Sequence, residues 1–152
     1  MKYLVALLAL AGLVLSVMGL RIHTMDPALA APCAVSEHWD CGSVNHSRFA
    51  VFPAKTFDEA PGKIHIPVAT VGIVGYGLIA VLALMEWWWM VFEAAQLGFM
   101  CASFLSYLEA FVMEKWCIYC VWSWGIMTTI LVLSISVLVF RRRGRRVVWR
   151  QS

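Results

Sequence analysis

Four apolar runs dominate this sequence: Tyr3 to Leu20, Ile66 to Met85, Leu97 to Met113 and Ile118 to Phe140. Each is close to the ~17–25 residues that a helix needs to cross a bilayer. Within them only Glu109, in the third, carries a charge. The chain is 62% hydrophobic and 14% charged, whereas soluble domains carry about a quarter charged residues. The expected fold is therefore an all-α membrane protein, a four-transmembrane-helix bundle, with residues 1–152 forming a single membrane domain.

The connections differ sharply. Residues 21–65 form a long polar loop containing Pro27, Pro32, Pro53 and Pro61, and irregular backbone of that kind cannot lie in lipid. Trp87, Trp88 and Trp89 fall between the second and third runs and read as an interfacial belt. Only Glu114–Lys115–Trp116 separates the third run from the fourth. Six of the twelve Lys and Arg lie in the terminal RRRGRRVVWR. Nucleic-acid binding is rejected for this cluster, because a basic run beside a span is the ordinary signal of a cytoplasmic end. Residues 141–152 are then a basic cytoplasmic tail, and with four spans the N-terminus is inside as well. The 21–65 loop, joining helices 1 and 2, and the 114–116 turn both face outward. A cleaved leader ending at Ala28-Leu29-Ala30 is the competing reading of the N-terminus, and it leaves the sidedness of everything downstream unchanged.

This topology gathers four of the five cysteines at one face, the oxidising one. Cys33 and Cys41 lie in the outer loop, and Cys117 and Cys120 open the last helix. Cys101 lies sixteen residues before Cys117, roughly 24 Å deeper along a helix, and reads as a small buried residue. Cys117 sits where unpaired backbone N–H groups and the helix dipole favour an anion, which lowers a thiol's pKa. Cys120, one turn deeper, is placed to meet a lipid-soluble electron carrier. Cys33 and Cys41 close a small ring, either as a loop staple or as a relay through mixed disulfides. Glu109, an ionisable group inside a span, is a candidate functional residue. Glu114 reads as interfacial. The four His, at 23, 38, 46 and 65, all lie in the outer loop and with the cysteines offer an alternative, a Zn- or Cu-binding membrane protein. Their spacing fits no finger-like pattern, and the preferred reading has no metal.

CAVSEHWDCGSVNHSRFAVF, IPVATVGIVGYGLIAVLAL and CIYC together resemble the first outer loop, second helix and active-site pair of the bacterial branch of the vitamin K epoxide reductase family, in its form without a fused thioredoxin-like domain. The resemblance runs from Cys33 through the last helix. It implies a four-helix bundle around a quinone pocket at the outer face. Cys117 and Cys120 would be the active-site pair, with Cys120 meeting the quinone. Cys33 and Cys41 would be the shuttle pair, Cys41 exchanging with Cys117 and Cys33 facing a separate thioredoxin-like periplasmic or extracytoplasmic protein. Ser47 matches the family's loop serine. The start of the second helix, KIHIPVATVG, lacks the Asn that bonds a quinone carbonyl in vertebrate members, leaving His65 or Thr70 to substitute. Trp116, Tyr119, Trp122 and Trp124 either line the pocket or form an aromatic belt. The disulfide bond protein B type does similar chemistry but carries its CxxC in the first outer loop, the reverse of the order here.

The function expected is a membrane thiol–quinone oxidoreductase of the bacterial inner membrane, with its active site on the outer face. It oxidises a thioredoxin-like partner, reduces a quinone of the ubiquinone, menaquinone or vitamin K type, and supports disulfide formation. The same residues would serve a vitamin K epoxide or quinone reductase of another pathway.

Overall fold

A computed structural model describes residues 1–26, 33–55 and 64–148, with side chains described as far as Arg142 in the last helix. The Ala28-Leu29-Ala30 site and the last residues of the basic tail lie outside the described residues. The elements are α1 (Lys2–Thr24), a short α2 (Cys41–Asn45), strands β1 (Val51–Phe52) and β2 (Ile66–Pro67), α3 (Val68–Leu84), α4 (Trp88–Leu108), a single π-helical turn (Glu109–Met113) and α5 (Ile118–Val148).

Among the described residues the fold is all-helical but for one small antiparallel strand pair, in which Val51 faces Pro67 and Phe52 faces Ile66. α1, α5 and the continuous stretch from Trp88 to Met113 are long and apolar enough to cross a membrane, and α3 is a shorter apolar helix. Together they form a four-helix bundle in which α1 packs on α3 and α5, and α4 packs on α3 and α5. Leu7, Val74, Leu97, Phe104 and Trp122 all point away from the bundle. In water this surface would be a liability, but in a bilayer it faces lipid. Lipid is as apolar as leucine, so close packing rather than hydrophobic burial holds such helices together.

The packing core shows how. Val5, Ala9, Tyr76, Ile79, Ala83, Trp88, Val91, Ala95, Met127 and Ile130 interlock in its centre. Gly12 lets α1 and α3 approach: a Cβ there would sit 2.3 Å from the Tyr76 ring. Tyr76 in turn reaches across to α5, its hydroxyl donating to the Ser123 carbonyl at 2.8 Å. A buried phenol needs such a partner, since lipid offers none.

The structure departs from expectation at several points. α4 begins at Trp88 rather than Leu97. Trp88 is therefore a buried helical residue rather than part of a connecting belt, while Trp87 and Trp89 remain exposed. Glu93 and Gln96 break the apolar run without breaking the helix. α5 continues to Val148, so the start of the basic tail is helical. Cys101 is exposed rather than buried. It follows Ala95, on the packed face, by six residues, which carries it about two-thirds of a turn round the axis.

Candidate functional site

The two ends of the bundle are built differently. At one end Glu86, in the α3–α4 turn, pairs with Lys2 at 2.9 Å and Arg141 at 3.2 Å. Two open hollows of about 410 Å³ each lie there, lined in part by Glu86, Trp88 and Arg141. At the other end Ile22, Cys33, Cys41, Val44 and Cys117 form a second buried cluster, with Met113, Tyr119 and Cys120 packed against it.

Local sequence explains how the loop reaches this cluster. Asp40 caps α2, its carboxylate accepting the Ser43 N–H at 3.1 Å, as an acidic N-cap does. One turn of helix then puts Cys41, Val44 and Asn45 on a common buried face. The preceding residues are tied to the turn before α5. The Trp116 N–H donates to the His38 carbonyl at 2.8 Å, and the Asp40 N–H donates to the Trp116 carbonyl at 3.1 Å. The indoles of Trp39 and Trp116 lie 6.3 Å apart. Lys115 closes the clamp on Asp40 at 3.3 Å and Ser43 at 3.0 Å. The Ser43 hydroxyl, donating to Asp40, holds the Asp40 carboxyl below its ordinary value of 3.8; the Ser43 N–H and Lys115 add to this, and slight burial opposes it.

Cys33 and Cys41 are joined as a disulfide. Cys117 and Cys120 are free thiols. Cys117 occupies the N-cap of α5, since its carbonyl accepts the first helical N–H, that of Val121, at 3.1 Å. Its thiol is held below its ordinary value of 9.0, chiefly because the Cys120 thiol donates to it. The N–H groups of Cys120 and Tyr119 add to this, while burial and the Glu109 charge oppose it. The sequence anticipates the helix-start contribution and misses the larger one, the neighbouring thiol.

Two further residues complete the cluster. The Asn45 side chain donates to the Cys41 carbonyl at 2.9 Å and to the Cys117 sulfur at 3.7 Å. Sequence reasoning overlooks it, although reading DCGSVN as a capped turn of helix places Asn45 on the Cys41 face. Glu109 is 1% exposed, and its Oε2 accepts the Cys117 N–H at 3.0 Å. The charge inside a span was the signal for Glu109; its contact with the CxxC was not.

The remaining expected residues spread out. Ser47 Oγ is buried and has no hydrogen-bond partner among the described residues. His65 bonds the Pro53 carbonyl at 2.9 Å beside the strand pair. Trp122 is 63% exposed and faces outward. Trp124 braces α5 against α4, donating to Ser103 at 3.0 Å and stacking on Phe99. Tyr119 lies against the cysteine cluster. His23 and His46 bond backbone carbonyls, His23 that of Asn45 and His46 those of Gly42 and Met25. Among the described residues no group of three or more His, Cys, Asp or Glu is placed to hold a metal ion.

A buried disulfide from a loop thus packs beside a CxxC at a helix start, an arrangement in which thiol–disulfide exchange is chemically possible. The sequence profile of the vitamin K epoxide reductase family matches residues 3–135. The chain belongs to this family. None of the curated proteins compared with it matches. The family is one of membrane thiol–quinone oxidoreductases, so the quinone is the substrate it implies. The chain is accordingly an integral membrane protein with several candidate spans.

Proposed function

We propose that this chain, read as one membrane domain of the family's bacterial branch without a fused thioredoxin-like domain, carries two electrons from a separate thioredoxin-like protein to a membrane quinone. The observation that carries the reading is the shared burial of Cys33, Cys41 and Cys117 in one cluster, with Cys120 against it. A partner dithiol reduces Cys33–Cys41 and leaves as a disulfide. The Cys41 thiolate then reduces an oxidised Cys117–Cys120 pair. The resulting dithiol reduces the quinone to hydroquinone and re-forms its own disulfide. Each exchange is a thiolate attack through a mixed disulfide, and the sum is partner dithiol plus quinone giving partner disulfide plus hydroquinone.

Cys120 is the sulfur that meets the quinone. Ser47 supports the quinone end, because its buried hydroxyl has a hydrogen bond to offer. It is favoured over His65, held by Pro53, and over Trp122, turned to lipid. Lys2 and Arg141 lie at the end opposite the cysteines, which supports a cytoplasmic assignment for that end and an outer, disulfide-permissive one for the site in a bacterial inner membrane.

The test is quinone reduction by pre-reduced protein in detergent, followed by absorbance with ubiquinone and menaquinone analogues. The wild type should reduce at least one. Cys120→Ala should lose the reaction. Inert, well-folded wild type with both quinones would sink the reading.

A further inference from the structure

A buried carboxyl group lies inside the cysteine cluster without a part in the exchange just described. Glu109 is 1% exposed and contacts the CxxC directly. Its Oε2 accepts the Cys117 N–H at 3.0 Å, and its carboxyl group and the Cys120 thiol act on each other electrostatically. Cys120 lies in the first turn of the helix that Cys117 caps, so Glu109 sits at the base of the CxxC.

The backbone explains how a residue of α4 gets there. The helix changes to a π-turn at Glu109–Met113, a local widening that is frequent at functional sites. The Glu109 carbonyl accepts the N–H of Glu114 and that of Lys115 at 3.2 Å. Glu114 leaves the turn with φ 52°, in the left-handed region. The chain thus folds back over Glu109, and both ends of this residue grip the segment that delivers Cys117. A merely structural role would need an acceptor for the Cys117 N–H, which an amide supplies as well as a carboxylate. An ionisable group held at that depth in a span is costly and usually has a chemical use.

We infer that Glu109 is a catalytic residue of the quinone step, taking the Cys120 thiol proton and delivering it to the quinone oxygen. This rests on the function proposed above. The Cys120 sulfur bonds to a quinone ring carbon as its proton passes to the Glu109 carboxylate, and the displaced electron pair moves to the ring oxygen. The Cys117 thiolate then attacks the Cys120 sulfur. The S–S bond forms, the carbon–sulfur bond breaks, and its electron pair enters the ring. Glu109 returns one proton to the reduced ring, and solvent supplies the second, which Cys117 had released earlier. Two electrons and two protons reach the quinone, and the dithiol becomes a disulfide.

The experiment is single-turnover quinone reduction by pre-reduced wild type, Glu109→Gln and Glu109→Asp across a pH series. Glu109→Gln keeps the acceptor for Cys117, so it should melt like the wild type while reducing quinone roughly 100-fold more slowly, the scale of a lost acid–base group. Its rate relative to wild type should vary with pH, because the thiol proton must now leave to bulk and the ring's proton must come from it. Cys117 and Cys120 are the titrating groups that face position 109, and Glu109→Gln also removes the charge that opposes ionisation of Cys117; Glu109→Asp, which keeps a charge, controls for that change. Glu109→Asp, which keeps a carboxyl group, should retain the wild-type pH profile at a reduced rate. Wild-type rates in Glu109→Gln, or a loss by the same factor at every pH, overturn the inference and leave the function standing. Inert wild type overturns both.

Discussion

The two ends of this bundle solve the problem of polar groups in a membrane in opposite ways. At the Glu86 end, charges are left in water: Lys2, Glu86 and Arg141 are all substantially exposed, and pairs of that kind contribute little to stability. At the cysteine end, Cys41, Cys117 and Glu109 are buried, and the polar groups among them bond to one another. Water-facing charges orient a chain and tolerate replacement. Buried, mutually bonded groups fix geometry, and removing one leaves its neighbours unsatisfied. Reactivity therefore belongs at the second end.

The largest effect expected is on turnover. Cys41→Ala should slow quinone reduction driven by a thioredoxin-like dithiol protein by about two orders of magnitude or more, the scale on which a lost nucleophile acts. Reduction primed by dithiothreitol, small enough to reach the CxxC directly, should persist. Glu86→Gln should leave both rates unchanged; a matching loss there would break the contrast between the ends. Next comes stability. Asn45→Leu removes the donor to the Cys41 carbonyl and should destabilise the protein by about 1–3 kcal/mol, read as a fall in melting temperature that Glu86→Gln does not reproduce.

Reactivity at Cys117 sharpens the comparison further. Its lowered pKa means that alkylation by a maleimide, in a Cys101→Ser background, continues below the pH at which an ordinary thiol falls silent. Cys120→Ala removes the leading cause, so the alkylation profile should move to higher pH; an unmoved profile would leave the helix start as the whole explanation. The smallest effect is at Asp40. Its folded pKa is lowered, so its contribution is fully present above the unfolded value near 3.8 and is lost as pH falls through the folded one. Asp40→Ala should lower stability by about 1 kcal/mol at pH 7, as a lost N-cap does. Melting temperatures of variant and wild type should converge as pH falls through the folded value.

The four apolar helices are legible in the sequence because a bilayer demands long uncharged runs, and Ile118–Phe140 meets that demand without ambiguity. The start of α4 is not, since Glu93 and Gln96 interrupt apolarity where the helix continues. The CxxC announces itself by spacing. Glu109 announces itself as a charge inside a span, but its contact with the CxxC does not, nor does Asn45, because these depend on a π-turn and on a five-residue helix that Asp40 caps, both of which redirect side chains by geometry that periodicity cannot convey. Cys101 shows the converse: a small apolar residue in a span is as well served by lipid as by a core.

The pairing of His38 and Asp40 with Trp116 has a consequence for how this protein tolerates change. The bonds are made by main-chain groups, which every residue other than proline supplies. The distance between the loop disulfide and the CxxC is therefore set by peptide bonds and is indifferent to the identity of the side chains at positions 38 and 116. Surface residues of the loop are free to drift, to suit one partner or another, while the gap that electrons must cross stays the same.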